Sequence, residues 1–210
     1  GIKTEPPHFP LSSQLLSAQD IQPQNSDIDL VRNAQAGNQA AFGELMKRHH
    51  ERTYRLVYSV VRHEHDARDV AQEVWLTVWR QLAKFRGDAQ FSTWLHPIAV
   101  RRSLDHLRKR RRWYDIFLPL DITGEDGESH YQALSTPDQS DDKGKGERIA
   151  KVREALKTLP PKLRAVLALR ELEGLSYEQI AAAMKIPSGT VMSRIYHARR
   201  VLAKKLGPKL

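Results

Sequence analysis

Through two long stretches of this chain the apolar residues recur three and four positions apart, and nowhere do they alternate with polar ones. That period lines one face of a helix, whereas a half-buried strand needs a period of two, so the chain reads as all-α. In the first stretch Asp27 can cap a short helix that carries Ile28, Val31 and Ala34 and stops at Gly37. Asn38 then caps a longer helix, with Phe42, Leu45, Met46, His49, Leu56, Val57, Val60 and Val61 on one face. A third begins after Asp66, with Val70, Val74, Val78 and Leu82 four apart and Trp75 and Trp79 beside them. Ser92 is a candidate cap for a fourth, holding Trp94, Leu95, Ile98, Leu104 and Leu107. Pro97 inside it predicts a kink or a late start, because it lacks a backbone donor and crowds the preceding turn.

The second stretch resumes near Ile149 with a stripe of Val152, Leu156 and Leu159. Pro160 and Pro161 break it, and Pro161 suits the first position of a helix that holds Leu163, Val166, Leu167 and Leu169 and stops at Gly174. Between the stretches, residues 114–147 have no period and are rich in Gly, Pro and acids, which predicts a flexible acidic linker. Residues 1–26, rich in Pro, Gln and Ser, read as a flexible tail. The expected organisation is therefore a tail (1–26), a helical bundle (27–113), a linker (114–147) and a second small helical domain (148–210).

Charge sharpens that division. The chain's net +9 separates into −1, +7, −7 and +10 along those four segments. Basic surfaces attract phosphate by counterion release, so nucleic acid leads the partner classes, although a solvated helix face carries Lys and Arg too. With no cysteine, a disulfide scaffold, a thiolate metal site and a cysteine nucleophile are excluded. No apolar run approaches the roughly 18 residues of a membrane helix, and residues 1–10 lack the features of a signal peptide. Without an insertion signal the expected location is cytoplasmic.

Ser176 and Gln179 have the spacing of a capping box that opens a short helix through Met184; Lys185, Ile186 and Pro187 form a turn, and Ser188 is expected to cap a longer basic helix. These are the parts of a helix-turn-helix. Winding the last helix places Val191, Ile195, Ala198, Leu202 and Leu206 on an apolar stripe, opposite Ser193, Tyr196, His197, Arg200 and Lys204. A recognition helix offers its first turns to base edges, so Ser188, Thr190, Met192, Ser193, Tyr196 and His197 are base-contact candidates. Arg194, Arg199, Arg200, Lys204 and Lys205 suit phosphates.

At this point the residues carry a resemblance. Residues 169–181 (LRELEGLSYEQIA) and 189–194 (GTVMSR) resemble region 4 of the extracytoplasmic-function (ECF) group of sigma-70 factors, closest to the envelope-stress type. Asp69-Val70-Ala71-Gln72-Glu73 resembles the core-binding part of region 2, and residues 85–88 with 91–95 its promoter-melting part. The resemblance implies an alternative sigma factor: a dissociable specificity subunit of bacterial RNA polymerase that directs promoter-specific initiation, in a stress or extracytoplasmic response. It implies no catalytic residue and no cofactor. Partners would be core polymerase, mainly the beta-prime clamp helices and the beta flap, promoter DNA, and an anti-sigma factor of a kind often membrane-bound. Ser188, Thr190, Met192, Ser193, Arg194, Tyr196, His197 and Arg200 would read the duplex minus-thirty-five element. Arg86, Gly87, Asp88, Ala89, Gln90, Phe91, Arg101, Arg102 and Arg108 would hold the unpaired minus-ten strand, since splayed bases are captured by stacking and pockets among basic groups. Core packing is the competing account of the aromatics there, Trp94 above all. Asp69, Gln72 and Glu73 would bind core polymerase; the wheel adds Leu76 and Arg80 to their face. Members commonly have a basic residue at Met192, an asparagine at Arg101 and a basic residue at Pro97. Met192 cannot make the bidentate arginine contact to guanine.

Two other classes remain to be weighed. An operator-binding repressor or activator needs only residues 148–210 and leaves the face of Asp69, Gln72 and Glu73 unexplained. A recombinase or nuclease needs clustered carboxylates or a nucleophile near the basic surface, and none is evident. His49-His50 and His63-Glu64-His65 lack the helical spacing of a zinc site, so no metal is expected.

Overall fold

The computed structural model describes residues 26–117 and 143–207. The expected tail, save Ser26, and most of the acidic linker lie outside the described residues, as do the side chains of residues 113–117 and 143–145. The described residues form α1 (Asp27–Gln35), α2 (Gln39–Val61), α3 (Glu64–Gln81), α4 (Phe91–Phe117), α5 (Lys143–Lys157), α6 (Pro161–Glu171), α7 (Tyr177–Met184) and α8 (Ser188–Leu206). A 3-10 turn, Leu82–Lys84, follows α3, and none of the described residues is in a strand.

Local chemistry explains most boundaries. Asn38 caps α2 by accepting from the Ala41 amide, and Pro161 opens α6. Ser176 and Gln179 form the expected reciprocal box at α7. Five expectations are corrected. Ser26, not Asp27, caps α1, in a box with Asp29; Asp27 faces α2 instead, with its carboxylate 2.7 Å from His49 Nε2. His63 caps α3 through Nδ1, so that helix begins at Glu64 rather than after Asp66. Ser188 is the first residue of α8, with Pro187 at the cap position and no side-chain cap bond. α4 starts at Phe91 and runs through Pro97, so the late start does not occur. The proline forfeits one backbone bond, to the Thr93 carbonyl. α5 also begins inside the segment read as linker, across Gly144 and Gly146.

α1–α4 pack as a bundle around Leu45, Leu56, Val57, Val60, Val70, Val74 and Val78, each no more than 1% exposed. α7 and α8 pack against α6, and α5 packs against α8. The two blocks are not separate bodies. α6 packs against α2 and α4, α7 also touches α4, and one core continues from Leu56 and Val60 through Ala165, Val166 and Leu169 to Ile180, Val191 and Ile195. A smaller cluster of Leu159, Leu167 and Ala198 closes the other side of α6. Residues 164–169 are buried without interruption, which an amphipathic helix lying on one neighbour cannot achieve. Fully burying Val166 or Leu169 stabilises by about 1.5–3 kcal/mol, whereas an exposed pair such as Arg199–Glu171 is worth about 0–1 kcal/mol. Apolar burial therefore decides where α6 sits.

The one charged residue buried among the described residues of α6, Arg164, joins the blocks. Its Nε donates to the Val60 carbonyl at 2.8 Å, and its Nη1 donates to the Leu159 carbonyl at 2.8 Å and the Lys157 carbonyl at 3.4 Å. Val60 lies in the last turn of α2 and Lys157 ends α5, so the guanidinium serves carbonyls that a helix end leaves without intrahelical partners. A positive charge there also suits both helix dipoles. Arg164→Met keeps the bulk but strands those carbonyls, and should cost about 2–3 kcal/mol, read as a lowered urea midpoint; a loss under about 0.5 kcal/mol would show that the bonds are dispensable.

Candidate nucleic-acid interface

The loop expected to hold an unpaired base, residues 86–90, is exposed throughout and fixed at both ends. On its N-terminal side the Gln35 amide donates to the Leu82 and Phe85 carbonyls, each at 2.9 Å, pinning the turn before the loop to α1. Phe85 and Phe91 then plunge inward and meet edge to face at 5.9 Å, with Trp94 tilted against both. Gly87 has φ +82°, a backbone conformation that favours glycine, and a Cβ there would also press on the end of the Ile28 side chain at 2.9 Å. Arg86 and Asp88 pair at 2.9 Å on its surface. Phe91, only 3% exposed and also against His49, presents no face to a base in this arrangement; it anchors the loop from below.

Of the basic candidates on α4, Arg101 and Arg108 are exposed and flank Asp105, with which both pair, while Arg102 is half-buried. Arg110, from the basic run, turns back to Asp66. On α3, Asp69, Gln72, Glu73, Leu76 and Arg80 are all exposed, opposite the buried valines. Leu76 is 51% exposed. Trp79, expected on the valine side, is instead half-exposed beside Leu76, with Phe42 edge-on at 4.7 Å. Its position three residues after Leu76 was the available signal.

In the C-terminal block, α7, a tight turn and α8 form the expected helix-turn-helix. Lys185 adopts the left-handed conformation that ends α7. Arg170 braces the preceding turn, donating to the Leu175 carbonyl at 2.8 Å with its guanidinium over the Tyr177 ring. Val191, Ile195 and Ala198 are buried, and Ser188, Met192, Ser193, Tyr196, His197 and Arg200 face solvent, with Thr190 and Arg194 half-buried. Arg199, read as a phosphate ligand, is tied to Glu171 at 2.8 Å, which raises its pKa further. The Glu178 carboxyl is held below its usual value by its own backbone amide and by Ser176 Oγ, as befits a carboxylate in the first turn of α7.

The two candidate DNA faces are held in register by Glu173, which follows α6. Its carboxylate is only 2% exposed and receives Arg52 Nε of α2 at 2.5 Å and His96 Nε2 of α4 at 2.9 Å. Burial works to push this carboxyl up, but the hydrogen bond from His96 and the attraction of His96 and Arg52 outweigh it, so Glu173 is held below the usual carboxylate range. Sequence reading placed Glu173 in a motif without assigning it a role; its partners lie 121 and 77 residues away, beyond any spacing pattern. No group of His, Asp or Glu among the described residues could hold a metal ion, and no helix among them is long and apolar enough to cross a membrane.

Comparison with known proteins adds to this geometry. Residues 45–113 match the family model of sigma-70 region 2, and residues 149–202 that of sigma-70, region 4. The chain is 38% identical over 193 residues to the RNA polymerase sigma-H factor of Pseudomonas aeruginosa, covering 89% of this chain and 97% of that one. It is 38% identical over 187 residues to the ECF RNA polymerase sigma-E factor of Escherichia coli strain K12, covering 88% and 96%. Among solved structures it resembles CnrH in complex with the cytosolic domain of CnrY, with TM-score 0.59 and 26% identity over 89% of this chain and 99% of that one.

Because Glu173 ionises more readily when folded, its contribution to stability is full above its unfolded pKa, about 4.5, and fades as pH falls through its lowered value. Glu173→Gln should be less stable than the parent at pH 7, and the gap should close as pH drops below about 4.5. Urea midpoints across that range are the measurement. A gap that is absent at pH 7, or unchanged by acid, would contradict the assignment.

Proposed function

The chain belongs to the ECF group of the sigma-70 family of RNA polymerase sigma factors, and on that premise we propose how its surfaces divide the work of promoter-specific initiation. The exposed face of α3, with Asp69, Gln72, Glu73, Leu76 and Arg80, binds core polymerase at the beta-prime clamp helices, and the C-terminal block engages the beta flap. Loop residues 86–90, with Arg101, Arg102 and Arg108, capture the unpaired minus-ten strand. The outer face of α8 reads the minus-thirty-five duplex. The carrying observation is that most of these residues face solvent while the backs of their elements form one core. The factor performs no reaction itself: binding unpaired bases more tightly than paired ones lowers the cost of strand opening. It acts in the cytoplasm, and an anti-sigma factor restrains it. CnrH, solved with a cytosolic domain of another protein on it, supports the latter role.

This division requires the two blocks to part. Twenty-five base pairs separate elements at minus ten and minus thirty-five, about 85 Å at 3.4 Å per pair. A compact body of this size has a radius of gyration of about 15 Å. With α6 packed against α2 and α4, no rigid placement reaches both elements. The 25 residues between Phe117 and Lys143 span at most about 85 Å when extended, so the covalent connection permits the separation.

Gln72→Ala combined with Glu73→Ala should weaken core binding several-fold in a pull-down while the thermal unfolding profile stays unchanged; undiminished binding would remove α3 from the interface. A second test holds the blocks together. In this cysteine-free chain, Arg52→Cys and Glu173→Cys bridged by a short bismaleimide should lose promoter-dependent transcription with core polymerase, whereas the same variant capped by a monofunctional maleimide should retain it. Full activity of the bridged protein would refute the opening step.

A further inference from the structure

The base-reading end of α8 is unusual in what it lacks. Guanine is read in the major groove by the bidentate donors Arg and Lys, and adenine by Asn and Gln. Across residues 188–197 the exposed positions hold Ser188, Gly189, Met192, Ser193, Tyr196 and His197, and none of those four residue types. Arg194 is half-buried, and Arg199, two turns beyond Met192 on the same side, is drawn back to Glu171 at 2.8 Å. What the helix presents instead is Met192, 55% exposed, with Tyr196 one turn on. The surrounding domain carries +10, so the approach to phosphate is electrostatically favourable.

We infer that Met192 is a specificity determinant that reads thymine in the minus-thirty-five element through the C5-methyl group. That methyl is the one apolar feature that the base pairs display in the major groove. A thioether side chain is apolar, unbranched and adaptable, so it can close over the methyl without precise hydrogen-bond geometry. Both surfaces are wet before binding and leave water together. The inference rests on the reading of α8 as the minus-thirty-five element's partner.

Holoenzyme reconstituted from core polymerase and the full chain is first used to select binders from promoter DNA randomised across the minus-thirty-five element. Each thymine of the selected sequence is then replaced singly by deoxyuridine, which removes only the methyl. One position should weaken about four-fold, the equivalent of about 0.8 kcal/mol for one buried methyl. Met192→Ala, at a site too exposed to disturb the core, should abolish the thymine-over-uracil difference at that position alone. Met192→Arg should select guanine there. Clear minus-thirty-five selection without a methyl effect, or with one that persists in Met192→Ala, overturns the methyl contact and leaves α8 as the reader. No minus-thirty-five selection by any of the three proteins overturns both.

Discussion

The structure depends on a helix whose middle has no solvent side. Residues 164–169 of α6 are buried in succession, so α6 is stable only between two layers. One layer is α2 and α4, the other α8 and the end of α5. Arg164 makes that position specific as well as favourable, because its guanidinium reaches carbonyls at the ends of α2 and α5 at once. A buried arginine without those acceptors would be strongly unfavourable, so the bonds and the burial stand or fall together.

The proposed functional surfaces follow from where that core ends. Phe85 and Phe91 anchor the two ends of residues 86–90 and leave the residues between them in solvent. The valines of α3 face inward, which turns Gln72, Glu73 and Leu76 outward. Val191 and Ile195 do the same for α8. Glu173 has a different task. Apolar packing brings the blocks together, and the Arg52–Glu173–His96 cluster orients them, since a carboxylate with so little exposure needs both partners. A contact whose orientation depends on a partner-held charge can be exchanged for others that compete for the same groups.

The features legible in the sequence are the local ones. Ser176 with Gln179, Asn38 and Pro161 act on neighbouring backbone, so spacing alone identifies them. The stripes of α2 and α8 are legible for the same reason. Adjacent rivals were not separable: Ser26 and Asp27 are both good caps, and the choice is made by Arg48 and His49 drawing Asp27 toward α2. His63 has no cap signature at all. Phe91 carried a base-stacking signal that its burial contradicts in this arrangement, and Trp79 was assigned to the wrong side of its helix. The joining of the blocks was the largest omission. Arg164 and Glu173 meet partners 104 and 121 residues away, and only the unbroken apolar run 165–169 hinted that α6 would need cover on every side.

The most direct test of a closed body that opens on assembly is the distance between its blocks. Spin labels on Glu51→Cys in α2 and Ala182→Cys in α7 report it without touching the Glu173 cluster, in a chain with no other cysteine. The free protein should give one short, narrow distance distribution, and the holoenzyme on promoter DNA a distance longer by tens of ångströms. A free protein with broad, long distances, or a holoenzyme that keeps the short one, would contradict the account.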